Sequence, residues 1–179
     1  MSNNKFKLTE QTITMRLADE HTLHRIIALK DFGTIRRGEL GGYIEREENL
    51  SEIGNAWVGG NAEVCGAALV SGNALVSGEA RVSDEARVYD NARVYDKAWV
   101  GSHARVYGNA RVYGEAWVID DAQVYGHAAV YDEGRVEGGA QVFDNAQVFG
   151  KGAVVDSAKL HGDARQSYEW LQGNSDKCE

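Results

Sequence analysis

The sequence predicts an all-β protein built as a parallel β-helix, and three observations carry that reading. A six-residue unit repeats without insertion from Ala56 to Ala164, with Ala or Gly at one position and Val or Leu two residues later. Gly or Asp usually stands two residues further on, where a tight corner needs backbone conformations that few residues tolerate. No proline occurs among the 179 residues, as fits a chain in which nearly every backbone N–H serves a ladder. Hexad periods of this kind mark parallel β-helices, in which each unit supplies one short strand and no unit can bury its apolar face alone.

Residues 1–54 do not follow the hexad and read as a small N-terminal β cap. Thr12-Ile13-Thr14-Met15 and Leu23-His24-Arg25-Ile26-Ile27-Ala28-Leu29 have the branched composition of two strands, and Gly38-Glu39-Leu40-Gly41-Gly42-Tyr43-Ile44 reads as a glycine turn entering a third. Such a segment covers the unpaired edges that an open first coil would expose. Residues 55–165 form the β-helix. Ala and Val sit two apart and so point to the same side of a strand, inward, while the residues between and after them point outward. Burying each Val stabilises by roughly 1.5 to 3 kcal/mol, and the array multiplies that gain. The Gly, Asp and Asn after each Val fall at corners, Gly and Asn being the residues expected to accept positive φ. Residues 166–179 leave the pattern and read as a C-terminal cap and tail, with Tyr168, Trp170 and Leu171 covering the last coil.

Composition removes several classes of function. The hydrophobic (43%) and charged (26%) fractions are those of a globular chain, and no apolar run is long enough to span a membrane. Polar Ser2, Asn3, Asn4 and Lys5 follow Met1 where a signal peptide would have an apolar core. A formal charge of -8 disfavours general binding to nucleic-acid backbones, which needs clustered Lys and Arg. Cys65 and Cys178 are far apart and in no metal spacing, which points to a reducing, cytoplasmic setting.

The hexads resemble the hexapeptide-repeat, left-handed β-helix superfamily over about two thirds of the chain. That resemblance implies a single-stranded left-handed parallel β-helix of about six triangular coils, each of three hexads, and homo-oligomers, trimers or dimers, formed through the sides of the rod. Arg36-Arg37-Gly38-Glu39-Leu40-Gly41-Gly42-Tyr43-Ile44, followed by Glu48-Asn49-Leu50 and Gly54-Asn55-Ala56-Trp57-Val58, resembles the entry to the repeats in the YdcK-like group common in phages and prophages. Members are often labelled transferases, a label that rests on fold analogy. The resemblance implies a phage or prophage protein working in the host cytoplasm on a host partner, with inhibition of a defence component among the roles it suggests.

On an eighteen-residue coil, like positions stack about 4.8 Å apart and six coils make a rod on the order of 29 Å long. Tyr95 and Trp99 then flank one corner, Tyr113 and Trp117 flank it one coil later, Arg81 and Arg135 bracket the indoles, Gly101 lies beside them and Tyr131 extends the tyrosine column. These seven aromatic and arginine residues, Gly101 aside, are the candidate binding residues. Two indoles stacked in one column would make a shelf for a small planar ligand. Self-association, a host protein or ligand, and ladder packing alone remain the three readings of this edge. Asn73, Asn91, Asn109 and Asn145 share a column with His127 and read as a structural amide ladder. The corner at Asp84-Glu85, Ser102-His103 and Asp120-Asp121 reads as a solvated acidic edge, with a basic protein as the alternative.

Catalytic chemistry has little to stand on. Acyltransferases of the superfamily use a histidine near a groove between subunits, often with an extruded loop, and no loop interrupts these repeats. His103 and His127 lie on different corners, and the closely spaced pair His21 and His24 lies in the cap, away from any repeat metal site. The sequence therefore assigns no catalytic residue, metal or cofactor. It reads as a non-enzymatic binding or scaffold protein, with an acyltransferase-like enzyme using an inter-subunit site as the alternative.

Overall fold

Each hexad contributes a strand of two or three residues, and the eighteen-residue spacing brings like positions into parallel register: Trp99 pairs with Arg81 and Trp117, Arg93 with Leu75 and Arg111. Described here from a computed structural model, the chain is placed over residues 4–16 and 19–178; the polar start at Met1–Asn3 lies outside them. Three ladders result, two of seven strands and one of ten, so the β-helix makes about eight turns against the six expected. Backbone amides on each strand donate to the coil that follows, as in Trp99 N–H to Ala116 C=O at 2.9 Å and Gly101 N–H to Val118 C=O at 3.0 Å. The inward Ala and Val positions are fully buried and form one core running the length of the rod.

The corners correct one expectation. Asp, not Asn, takes the left-handed backbone: Asp84, Asp90, Asp96, Asp120, Asp132, Asp144 and Asp156 all have φ between 56° and 61°, and Gly fills most of the equivalent places. The amide of the corner residue has no carbonyl partner in the ladder. Where Asp precedes it by one coil, the carboxylate supplies the acceptor: Gly138 N–H donates to Asp120 Oδ2 at 3.1 Å and Gly108 N–H to Asp90 Oδ2 at 3.2 Å. Asn sits one residue later and forms the expected amide ladder, with Asn55 Nδ2 donating to Asn73 Oδ1 at 3.0 Å and Asn73 Nδ2 to Asn91 Oδ1 at 3.1 Å.

The N-terminal segment caps the rod as a hairpin. Strands β1 (Phe6–Arg16) and β2 (Glu20–Ala28) pair antiparallel, β2 pairs antiparallel with β3 (Leu40–Ile44), and β3 joins the repeats in parallel at Glu63–Val64. Glycine at 42 is sterically required, because a Cβ there would lie 2.5 Å from the Ala62 carbonyl oxygen. The cap buries two residues that the repeat turns outward. Trp57 is held edge-on by Phe32, with ring centroids 5.5 Å apart, and Cys65 is enclosed with Met15, Leu23 and Tyr43.

The ladders continue past residue 165 instead of giving way to a cap and tail. Arg165–Ser167, Trp170–Leu171 and Asp176–Cys178 add a further strand to each of the three sheets. This coil loses one residue at the Tyr168–Glu169 corner, so that Gly173 lies 17 residues from its partner Asp156 where earlier corners keep 18. A Cβ on Gly152 would sit 2.4 Å from the Gln166 carbonyl oxygen, and one on Gly134 2.8 Å from that of Val148, so Gly replaces the usual Ala at both places. Exposed Tyr168 and Trp170 thus belong to the coil and do not fold over it.

Candidate functional site

Two outward positions of the hexad build the aromatic columns. Tyr89, Tyr107, Tyr125, Phe143 and His161 stack nearly parallel on one face, with centroids 4.8 to 5.0 Å apart. On the next face Tyr95, Tyr113, Tyr131 and Phe149 do the same at 4.9 to 5.3 Å, and the Arg165 guanidinium closes the column 4.9 Å from the Phe149 ring. Hydroxyls reach along the column, as Tyr131 Oη does to Gln147 Oε1 at 3.2 Å. Each ring is half-buried by its neighbours, so these columns contribute ladder stability whatever else they do.

Trp99 and Trp117 are in contact on the third face, but not as a flat shelf. Their centroids are 5.0 Å apart and the ring planes cross at 75°. Trp99 lies over Gly101, where a Cβ would approach Nε1 to 3.0 Å, and donates from Nε1 to Ser83 Oγ at 3.1 Å. Ser83 in turn donates to Asp84 Oδ2 at 2.8 Å, which also accepts the Ser102 amide at 3.0 Å. Trp117 has Ile119 where Trp99 has Gly101, and its ring does not follow the orientation of Trp99. Arg135 packs over Trp117 at 4.7 Å, and Arg81 reaches Glu63 at 3.3 Å.

These side chains border a groove of about 620 Å³ lined by Asn61, Glu63, Glu79, Arg81, Lys97, Trp99 and Trp117. Tyr95, Tyr113 and Tyr131 lie across the corner and line separate hollows. The candidate residues therefore divide into an indole–arginine group and a tyrosine group. The charged lining at Glu63, Glu79 and Lys97 was not among the candidates, although the eighteen-residue count stacks Glu63 on Arg81 and Glu79 on Lys97.

Residues 86–102 and 104–119 match a family model described as the YdcK beta solenoid repeat. Those two stretches are similar to YdcK-type repeats. No curated protein matches the chain. The matched stretches include Tyr89, Trp99 and Trp117, so the densest aromatic part of the solenoid falls within them.

The histidines His103, His161 and His21 each face different neighbours. His103 lies 3.7 Å from Glu85 and 3.9 Å from Asp121, His161 lies 2.7 Å from Asp176, and His21 lies 3.2 Å from Glu45. Burial works against the Glu45 carboxylate, but the Gly66 amide at 2.6 Å and His21 outweigh it and hold the group below its ordinary range. Burial, with Glu45, Asp84 and Glu63 nearby, pushes the Cys65 thiol up to about 12, which makes it a poor nucleophile. Among the described residues no cluster of His, Cys, Asp and Glu is arranged to hold a metal ion, and no helix is long and apolar enough to cross a membrane.

Proposed function

We propose that this solenoid is a non-enzymatic binding or scaffold protein whose Trp99/Trp117 edge holds a protein partner, in the first place a second copy of itself. The groove of about 620 Å³ carries the reading, because it sets two half-exposed indoles in a column after Glu63 and Arg81, with Glu79 and Lys97 alongside. Trp and Arg dominate binding energy at interfaces, and acidic and basic groups on one rim suit a self-complementary contact about a twofold axis. The rigid ladder supports the indoles without any loop that must be ordered on binding, which lowers the entropic cost of association. The finer reading, a host partner such as a defence component, rests on the resemblance to the phage and prophage group.

Light scattering across micromolar concentrations tests the self-association, with Trp99→Ala/Trp117→Ala as the comparison. An oligomer that becomes monomeric in the folded double variant supports the reading, and so does a host protein that is captured by the wild type and lost with the variant. A monomer that captures nothing dependent on the two indoles overturns it. A thermal shift with an acyl-CoA donor would instead favour an enzyme.

A further inference from the structure

Each tyrosine column is closed at one end and open at the other. At the C-terminal ends, His161 continues one stack and Arg165 covers the other. At the N-terminal ends, Tyr89 and Tyr95 each have a stacked ring on one side alone among the described residues, because the next place in the column is held by Ser71 and Ser77. A vacancy one ring thick is therefore built into both columns at the same height. The two hollows have the same composition: Leu69, Ser71, Arg87, Tyr89 and Arg105 line one, about 260 Å³, and Leu75, Ser77, Arg93, Tyr95 and Arg111 line the other, about 320 Å³.

The arginines give the vacancy its charge preference. Arg87 stacks on Arg105 and Arg93 on Arg111 in direct register, an arrangement that is repulsive on its own. None of the four forms an ion pair with a described residue, whereas Arg81 and Arg135 on the third face do. The nearest corner carboxylates, Asp90 and Asp96, are committed to the amides of Gly108 and Gly114 at 3.2 Å. Arg87 and Arg105 line the same hollow as Tyr89, and Arg93 and Arg111 the same hollow as Tyr95.

We propose that these two hollows bind a planar aromatic anion, its ring seated on the open face of Tyr89 or Tyr95 and its acidic group between the paired guanidiniums. Stacking on an exposed tyrosine tolerates any flat ring, and paired Arg forks favour phosphate or carboxylate. A mononucleotide suits the volumes, which lie near the small end of ligand sites. The two hollows are not equal. Glu47, Glu48 and Glu52 border the surface next to Leu69 and Ser71, so the hollow at Tyr95 is the tighter one for an anion.

Titration calorimetry of the full chain with adenosine monophosphate, together with aromatic NMR shifts of Tyr95, tests the proposal. Adenosine and inorganic phosphate are run alone to separate ring from charge, and indole-3-carboxylate to distinguish an aromatic acid from a nucleotide. Ser77→Tyr with Ser71→Tyr extends both columns by one ring and fills the vacancies in a register the fold already uses. Binding of adenosine monophosphate or indole-3-carboxylate, weakened at least about tenfold in that variant and about tenfold by Arg111→Gln, supports the site. Absence of binding by both compounds at millimolar concentration, or unchanged affinity in the folded double-tyrosine variant, overturns it.

Discussion

Replacing Asp120 separates two contributions at a corner that the ladder alone would not distinguish. Asp120 has φ 60°, and its Oδ2 accepts the Gly138 amide at 3.1 Å. A left-handed backbone costs an ordinary L-residue about 1–2 kcal/mol, less for Asp and Asn and nothing comparable for Gly. The hydrogen bond contributes about 1 kcal/mol at an exposed site. Asp120→Ala loses the bond and carries the fuller left-handed cost of an ordinary side chain in place of the smaller cost for Asp, for a net loss of about 1.5–2 kcal/mol. Asp120→Gly loses the bond but relieves the backbone, and stays within about 0.5 kcal/mol of the parent; Asp120→Asn does the same because its amide oxygen still accepts. Urea unfolding followed by circular dichroism measures the three, and each kcal/mol corresponds to about 2–4 °C in Tm for a chain of this size. Equal destabilisation by Ala and Gly would show that the positive φ imposes no constraint, and neutrality of both would show that the carboxylate bond contributes nothing.

Alkaline pH should weaken the protein through its tyrosine columns. Burial pushes the hydroxyls of Tyr89, Tyr95, Tyr107, Tyr113 and Tyr125 above their ordinary value, so the folded chain keeps protons that the unfolded chain releases, and stability falls as pH rises through about 10. Melting curves between pH 9 and 11 should show that slope, and Tyr107→Phe/Tyr113→Phe should flatten it; an unchanged slope would place its origin elsewhere. The two thiols offer a separate check on the cap. Exposed Cys178 should react at once with a disulfide reagent, while Cys65, buried under Met15, Leu23 and Tyr43, should react only on unfolding or on loosening of the hairpin by Leu23→Ala. Equal rates in the native protein would mean that the hairpin is not docked.

The parts of this molecule visible in the sequence are those controlled by period. Counting in eighteens places Trp99 on Trp117 and Tyr95 on Tyr113 from the sequence alone, because one register governs the whole rod. Departures from period were harder to see. Loss of one residue near Tyr168 shifts Leu171 and Gly173 out of phase, so a true coil looked like a tail. The 75° crossing of the indoles, with Trp99 lying over Gly101, is a relation between side chains of neighbouring columns that a column-by-column reading omits. Burial of Trp57 and Cys65 depends on where the hairpin folds back, which hexad counting does not address. General tolerance of positive φ points to Asn at the left-handed corner; in this chain Asp holds it, and its carboxylate also reaches the amide one coil away.

The ends of the rod limit where a partner can bind. A repeat array with a continuous apolar core would stack end to end unless its terminal coils present polar groups. At the N-terminal end Lys5 is buried with its ammonium donating to the carbonyls of Ser51 and Ala56, and burial lowers it to about 8. Buried Asn49 donates to the carbonyls of Gly66 and Ala68 at 3.1 and 2.9 Å. At the other end Gln166 and Lys177 take places that Val148 and Leu160 hold one coil earlier, and they donate to the carbonyls of Glu169 and Arg165 at 2.7 and 2.8 Å. Polar side chains thus close the core at both ends while donating to backbone oxygens of the terminal coils. The long outer strand β1 carries Lys7, Glu10 and Arg16 and a register break between Leu8 and Thr12, features that oppose strand addition. With both ends and this edge protected, the side faces are where partner recognition can concentrate, and the Trp99/Trp117 groove is the place on them where exposed aromatic area and charge of both signs coincide.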